Sequence, residues 1–310
     1  MNVLFAAPAT SWETYRAPLF RAFDQAGLQA TLHTDPDAAP ETVDYIVYAP
    51  AGPVSDFTPF SRCKAVLSLW AGVETIVLNP TLTQPLCRMV DSGLQEGMVE
   101  WVTGHVLRHH LSMDRHIVNP LHNWDPAVPP LARDRKVTVL GLGELGRACA
   151  QALRALNFAV AGWARTHHSL EGIPCLHGAD GLRPALARAE IAVLLLPLTA
   201  ETENLLNHER LGWMPEGAVL INPGRGALVD DEALLAALGR GGLSHATLDV
   251  FRTEPLPAAH PFWAHPQVTV TPHIASATRP ETAAQVIVEN IRRSEAGEAL
   301  LFRVDRAQGY

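Results

Sequence analysis

Three side chains suited to anion binding and proton transfer stand directly behind apolar runs of the sequence. Arg225 lies in INPGRGALVDDEAL (221–234), held between Gly224 and Gly226. Glu254 lies in LDVFRTEPL (248–256), just before a proline, and His273 in VTVTPHIAS (268–276). Each apolar run reads as a buried strand, and α/β sheets bind ligands at the carboxyl ends of their strands. A planar guanidinium suits a carboxylate. An imidazole gives and takes a proton near neutral pH, and a nearby carboxylate favours its protonated form. Singly, the three residues are a surface charge, a solvated or capping group and a hydrogen-bonded loop residue. Together at strand exits they are candidates for one cleft.

A fourth feature supplies the partner for that chemistry. VTVLGLGELG (137–146) is an apolar run entering Gly141, Gly143 and Gly146 at GxGxxG spacing, followed by a helical pattern. The first glycine permits a tight turn, the second lets backbone approach a pyrophosphate, and the third lets helix pack on strand. The helix N-terminus then offers free N–H groups and a positive dipole end to phosphates. This predicts dinucleotide binding. The next strand, FAVAGWAR (158–165), selects the dinucleotide: no acid occurs between Leu145 and Leu170 to bond a ribose 2′-OH, and the strand runs into Arg165 and Thr166. A guanidinium pairs with a 2′-phosphate that a carboxylate would repel. NADP(H) is expected over NAD(H), with NAD(H) still possible.

The elements that must position these groups follow a βα rhythm. Strands are expected at 2–8, 43–50 and 64–72, with a helix over 13–27, so the first ~95 residues read as a small α/β domain of ordinary size. A long helix is expected over 97–118, then a proline-rich linker at 119–134. Further strands are expected at 137–141, 158–163, 191–196, 218–222, 245–250 and 267–271, with helices at 144–156 and 230–240. A last helix is expected over 279–297. The fold class is therefore α/β, two Rossmann-like parallel-sheet domains. The nucleotide-binding unit, 97–276, reads as inserted into a discontinuous α/β domain made of 1–96 and 277–310.

Composition narrows the partners. With 24 Lys+Arg against 32 Asp+Glu the net charge is −8, and no basic run interrupts it, which argues against nucleic acid or an anionic membrane. The apolar runs are too short to span a bilayer. MNVLFAAPATSW lacks a basic leader region, so no secretory signal is expected. Four scattered cysteines, with no CxxC, read as reduced thiols of a cytoplasmic protein. His105 and His109 have i,i+4 spacing but no third ligand, so a surface or subunit-contact role is expected and no metal.

Taken together, GLGELG, NPGRGALVDDEAL, LDVFRTEPL and TPHIAS resemble the D-isomer-specific 2-hydroxyacid dehydrogenases, and within them the glyoxylate/hydroxypyruvate reductase A group. The similarity extends over SLWAGVE (68–74), TRPETA (278–283) and the tail VDRAQGY (304–310). It implies NADPH-dependent reduction of small 2-oxo acids (glyoxylate, hydroxypyruvate) by hydride transfer. Arg225 then anchors the substrate carboxylate and carbonyl, His273 is the general acid and Glu254 its orienting carboxylate. Cofactor contacts are expected from Gly141, Gly143, Glu144, Leu145, Gly146, Arg165, Thr166, Pro197, Pro223, Gly224 and Asp249, the last meeting the nicotinamide carboxamide. Substrate contacts are expected from Trp70, Ala71, Gly72 and Val73 besides Arg225 and His273. The amides of 71–73 would grip the carboxylate, and domain closure would exclude water. Trp70 stands where relatives often carry a small residue; it either shapes the pocket or packs into the domain core. The long helix implies a homodimer. The alternatives are a bulkier 2-oxo acid as substrate, or a nucleotide-sensing binding protein of the same fold.

Overall fold

The computed structural model describes residues 1–309; Tyr310, the end of the tail motif, lies outside the described residues. The chain forms two compact units, one of Met1–Leu94 with residues 277 onward, the other Gln95–Ser276.

The first unit opens with β1 (Asn2–Ala6), α1 (Ala9–Gln25), β2 (Thr31–His33), β3 (Tyr45–Tyr48), β4 (Ala65–Ser68) and β5 (Leu86–Cys87). Helix α2 (Ser92–His110) carries the chain into the second unit. There follow α3 (Asp114–Ile117), β6 (Lys136–Leu140), α4 (Glu144–Ala155), β7 (Ala159–Ala164), β8 (Cys175–His177), α5 (Gly178–Ala187), β9 (Ile191–Leu194) and α6 (His208–Leu211). Then come β10 (Ala218–Asn222), α7 (Asp231–Gly239), β11 (Leu243–Leu248) and β12 (Val268–Val270), before α8 (Pro280–Glu295) returns to the first unit.

The smaller sheet has order β2-β1-β3-β4-β5 and the larger β12-β11-β10-β9-β6-β7-β8, with neighbours paired in parallel throughout. Parallel strands covered on both faces are apolar along their length rather than alternating. Accordingly β3, β4, β9 and β10 are buried at every position. In the larger sheet the strand order reverses between β6 and β9, the crevice at which doubly wound sheets bind ligands.

The helices cover these sheets with apolar stripes. In α4 the buried residues Gly146, Cys149, Ala150 and Leu153 fall at i, i+3, i+4 and i+7, one face of a helix. In the smaller unit α1 and α8 share a core through Leu19, Phe23, Ile287 and Ile291. Asp91 fastens that unit: one carboxylate oxygen accepts from the Leu94 N–H at 2.9 Å, at the start of α2, and from the Thr282 hydroxyl of α8.

The long helix differs from its sequence reading. It starts five residues early, where Asp91 caps it, and stops at His110 rather than running to 118. Ser112 takes a left-handed φ of 50°, Met113 N–H reaches back to the Arg108 carbonyl at 3.0 Å, and Asp114 binds Arg108 Nε at 2.8 Å. Those bonds close the helix and begin α3. Strands β2, β5 and β8 and helices α5 and α6 went unread, because the strands span three residues or fewer and α5 contains Gly181 and Pro184.

Candidate active site

In the second unit the loops after β10, β11 and β12 are knitted together by backbone contacts. Asn222, at the end of β10 and 1 % exposed, donates from Nδ2 to the Arg225 carbonyl at 2.9 Å and accepts the Gly224 N–H at 3.1 Å. This folds the Pro223-Gly224 turn and leaves Arg225 extended and half-buried, with one guanidinium N–H on the Gly224 carbonyl at 2.7 Å. Gly226 must lack a side chain: a Cβ there would lie 2.0 Å from the Phe251 carbonyl carbon. That close approach sets the loop bearing Glu254 against the Arg225 turn.

Glu254 uses both oxygens. Oε1 accepts the Phe251 N–H at 2.8 Å, and Oε2 lies 2.7 Å from His273 Nδ1. An ionised carboxylate only accepts, so the Nδ1 proton points to Glu254 and Nε2 is left for other partners. The imidazole is half-exposed. His273 itself has a left-handed φ of 53°, held by its N–H to the Asp249 carbonyl at 2.8 Å.

Asp249 is fully buried, and its carboxylate takes donors from the same loop: Thr271 Oγ1 at 2.6 Å, Ile274 N at 2.9 Å and Ala275 N at 2.8 Å. The residue read as a cofactor contact is thus also the anchor of the His273 loop. Sequence reasoning missed this, and missed Asn222, although a polar residue ending a buried strand was a visible signal.

The glycine turn fits a dinucleotide. Gly141 has φ 102°, and a Cβ on it would meet the Leu195 carbonyl oxygen at 2.4 Å. On Gly146 a Cβ would meet the Gly141 carbonyl oxygen at 1.8 Å, whereas on Gly143 it would meet nothing within 4 Å. The first and third glycines are therefore fixed by packing, and the second faces open space where a phosphate group can approach. Gly143 caps α4 without a side-chain bond, so the first-turn N–H groups of Glu144, Leu145 and Gly146 are presented as an anion seat. Gly224 joins this rim, since its Cβ would lie 2.9 Å from the Leu194 carbonyl oxygen. Pro197 follows β9, and its carbonyl accepts the Thr202 hydroxyl at 2.7 Å. Arg165 and Thr166 are exposed just past β7, with Arg165 paired to Glu201 at 3.5 Å.

In the first unit the loop after β4 is clamped by Ser68, whose Oγ accepts the Trp70 N–H at 3.0 Å and donates to the Trp70 carbonyl at 3.1 Å. Among the described residues the amides of Ala71, Gly72 and Val73 donate to no protein acceptor. Trp70 is 49 % exposed, which overturns the reading that it packs into the domain core.

His109 also departs from expectation. Its Nε2 lies 2.8 Å from Thr247 Oγ1 and its ring 4.9 Å from that of His245, so it packs on the sheet rather than facing solvent. Burial, then the nearby His245 and Arg108 charges, push its pKa down to about 3. Burial and Arg108 push His245 down to about 4.

Comparison with known proteins finds relatives that match this chain over its whole length. Residues 103–275 match the family described as D-isomer specific 2-hydroxyacid dehydrogenase, NAD binding domain. A glyoxylate/hydroxypyruvate reductase A of Serratia proteamaculans (strain 568) is 37 % identical over the full length of both chains. A D-isomer specific 2-hydroxyacid dehydrogenase of Xanthobacter autotrophicus Py2, solved with NADPH and MES, superposes with a TM-score of 0.92 at 41 % identity, covering 100 % of this chain and 99 % of that one. The NADPH-dependent glyoxylate/hydroxypyruvate reductase of Sinorhizobium meliloti, solved with NADP and sulfate, gives 0.88 at 33 % identity, with the same coverage.

Proposed function

The chain belongs to the D-isomer-specific 2-hydroxyacid dehydrogenases, and we propose that it reduces small 2-oxo acids, glyoxylate and hydroxypyruvate, with NADPH. It is an NAD(P)-dependent oxidoreductase. The observation that carries the reading is the 2.7 Å pair of Glu254 and His273, set in loops that Gly226 and Asp249 bring beside Arg225.

Bound NADPH supplies the hydride. The side chains of the protein do the rest. The Arg225 guanidinium holds the substrate carboxylate and lies against its carbonyl oxygen, a planar fork on planar acceptors. In the first unit the amides of Ala71, Gly72 and Val73 are open to a substrate anion, supported by their having no protein acceptor among the described residues. His273 gives a proton from Nε2 to the carbonyl oxygen, while Glu254 fixes the ring through Nδ1. Asp249 holds the His273 loop in place from its buried side. Gly143 and the first turn of α4, with Glu144, Leu145 and Gly146, seat the pyrophosphate; Pro197, Pro223 and Gly224 border the cofactor; Arg165 and Thr166 take the 2′-phosphate.

The exposed indole of Trp70, next to the substrate loop, supports a second reading in which a bulkier 2-oxo acid is preferred. One assay separates the two. NADPH and NADH oxidation are followed side by side with glyoxylate, hydroxypyruvate and longer-chain 2-oxo acids. Fast NADPH turnover on the two small acids is the expected result. Preference for longer acids favours the second reading, and tight cofactor binding without turnover on any acid overturns both.

The reading extends to a cytoplasmic homodimer. Cys63, Cys87, Cys149 and Cys175 are free thiols rather than disulfides, which suits a reducing compartment. No described helix is long and apolar enough to cross a membrane. Dimerisation is supported by an apolar arm after α2, on which Ile117, Leu121, Trp124 and Val128 are exposed.

A further inference from the structure

Past the ends of β7 and β8 lies a cluster of bases that the reading above does not use. The two strands pair with Ala164 opposite His177, so the segment after Ala164 runs beside the end of β8. Arg165 is the next residue, and two positions later the His167 ring meets the His177 ring edge-on, centroids 5.4 Å apart at 74°. Both imidazoles are exposed. Arg165, His167 and His177 thus lie at the ends of two neighbouring strands, β7 and β8, the first of which ends where an NADP-binding unit meets the 2′-phosphate.

We infer that His167 and His177 form a proton-operated second clamp on the 2′-phosphate, which makes the preference for NADPH over NADH depend on pH. The inference rests on the NADP(H) reading. A phosphate monoester is a dianion above pH ~6, and one guanidinium neutralises half of it. A dianion beside an imidazole favours its protonated form, so the phosphate can draw a proton onto one of the rings. Two rings in edge contact do not both charge cheaply, and so one proton is taken up and shared. The resulting imidazolium gives a charge-assisted bond to the phosphate that a neutral ring gives only weakly. NADH lacks the phosphate and draws no proton.

The charged groups on adjoining elements are Glu201, paired with Arg165 at 3.5 Å; His168, next in the chain; Glu171 on the connecting loop; Arg154 of α4, which donates to the Gly172 carbonyl of that loop at 3.0 Å; and Asp180 and Arg183 of α5. Glu201 competes with the phosphate for Arg165, which increases the weight that falls on the imidazoles.

The test is the Kd of NADPH and of NADH by calorimetry at pH 6.5, 7.5 and 8.5, in buffers of different ionisation enthalpy so that proton uptake is counted. Over that range the phosphate stays largely dianionic. The NADPH Kd is expected to rise roughly five- to tenfold from pH 6.5 to 8.5, with up to one proton taken up, while the NADH Kd stays level. His167→Gln with His177→Gln is expected to flatten the NADPH curve at its high-pH value. Both side chains are on the surface, so the variant keeps the fold. A level NADPH curve in the parent protein, or an unchanged slope in the double variant, overturns the inference. NADPH binding no tighter than NADH at any pH overturns the cofactor reading beneath it instead.

Discussion

Glu254 spends one carboxylate oxygen on the Phe251 N–H and the other on His273 Nδ1. An amide in its place has a single acceptor oxygen, so one of those two donors would face an NH₂ group. Glu254→Gln is therefore expected to misorient His273 and lower kcat by ~10²- to 10⁴-fold, the range of a lost general acid. His273→Ala should fall in the same range. In both variants the NADPH Kd should hold within about twofold, because neither side chain touches the glycine turn; binding by fluorescence and turnover by NADPH oxidation separate the two quantities. Near-normal kcat in His273→Ala would remove His273 as the acid. At this scale much was legible, since Arg225, Glu254 and His273 each follow a strand that is apolar in the sequence. What was not legible is tertiary. Nothing in the order of residues says that Asp249 binds Ile274 and Ala275 or that Gly226 touches Phe251, because those pairs meet only once β10, β11 and β12 lie side by side.

The elements carry a different kind of information. The three glycines before α4 look equivalent in the motif, yet the space around them differs. Gly146→Ala drives a methyl into the Gly141 carbonyl oxygen and is expected to cost about 1–3 kcal/mol or more, read from urea unfolding. Gly143→Ala meets open space, so stability should hold while the NADPH Kd rises about tenfold or more. A stable Gly146→Ala would contradict the packing. Helix α2 makes a second prediction through its seat on β11. His109 and His245 titrate at about 3 and about 4 in the folded chain, below the general imidazole value near ~6.5. The fold thus favours their neutral forms. Their contribution to stability is complete above pH ~6.5; below it the unfolded chain binds protons first, and the contribution is lost as pH falls toward the folded values. Urea midpoints should drop between pH 7 and 5, and His109→Gln with His245→Gln should flatten that slope. An unaltered slope would place the acid sensitivity elsewhere. Periodicity located α2 but not its end: the left-handed Ser112 and the Arg108–Asp114 pair interrupt a pattern that stays apolar through Ile117 and Val118.

At the scale of the whole chain, the position of the glycine turn, far from the N-terminus, is what predicts the insertion of one α/β unit into another. The return of α8 to the first unit could be expected from the resemblance, but not from periodicity, which gives a helix without giving its partner. The same limit applies to the segment from 111 to 131. Its apolar residues read in the sequence as the tail of a helix and a linker, and in the structure they cover no core: Trp124 is 93 % exposed, with Ile117, Val118, Leu121, Val128 and Leu131 also on the surface. A run of exposed apolar side chains of this kind marks an interface, and a stable one buries on the order of 1,000 Å² or more in total. A second copy of the chain is the expected cover. Light scattering should then report twice the chain mass of 33.6 kDa at micromolar concentration. Leu121→Glu with Trp124→Glu places two charges in the shared apolar surface and should return the mass to that of one chain, with the far-ultraviolet circular dichroism unchanged, since neither residue belongs to a core. A parent protein that scatters as a single chain at every concentration would rule out the dimer. A variant that remains dimeric would move the interface away from the arm, leaving those exposed side chains without a role in assembly.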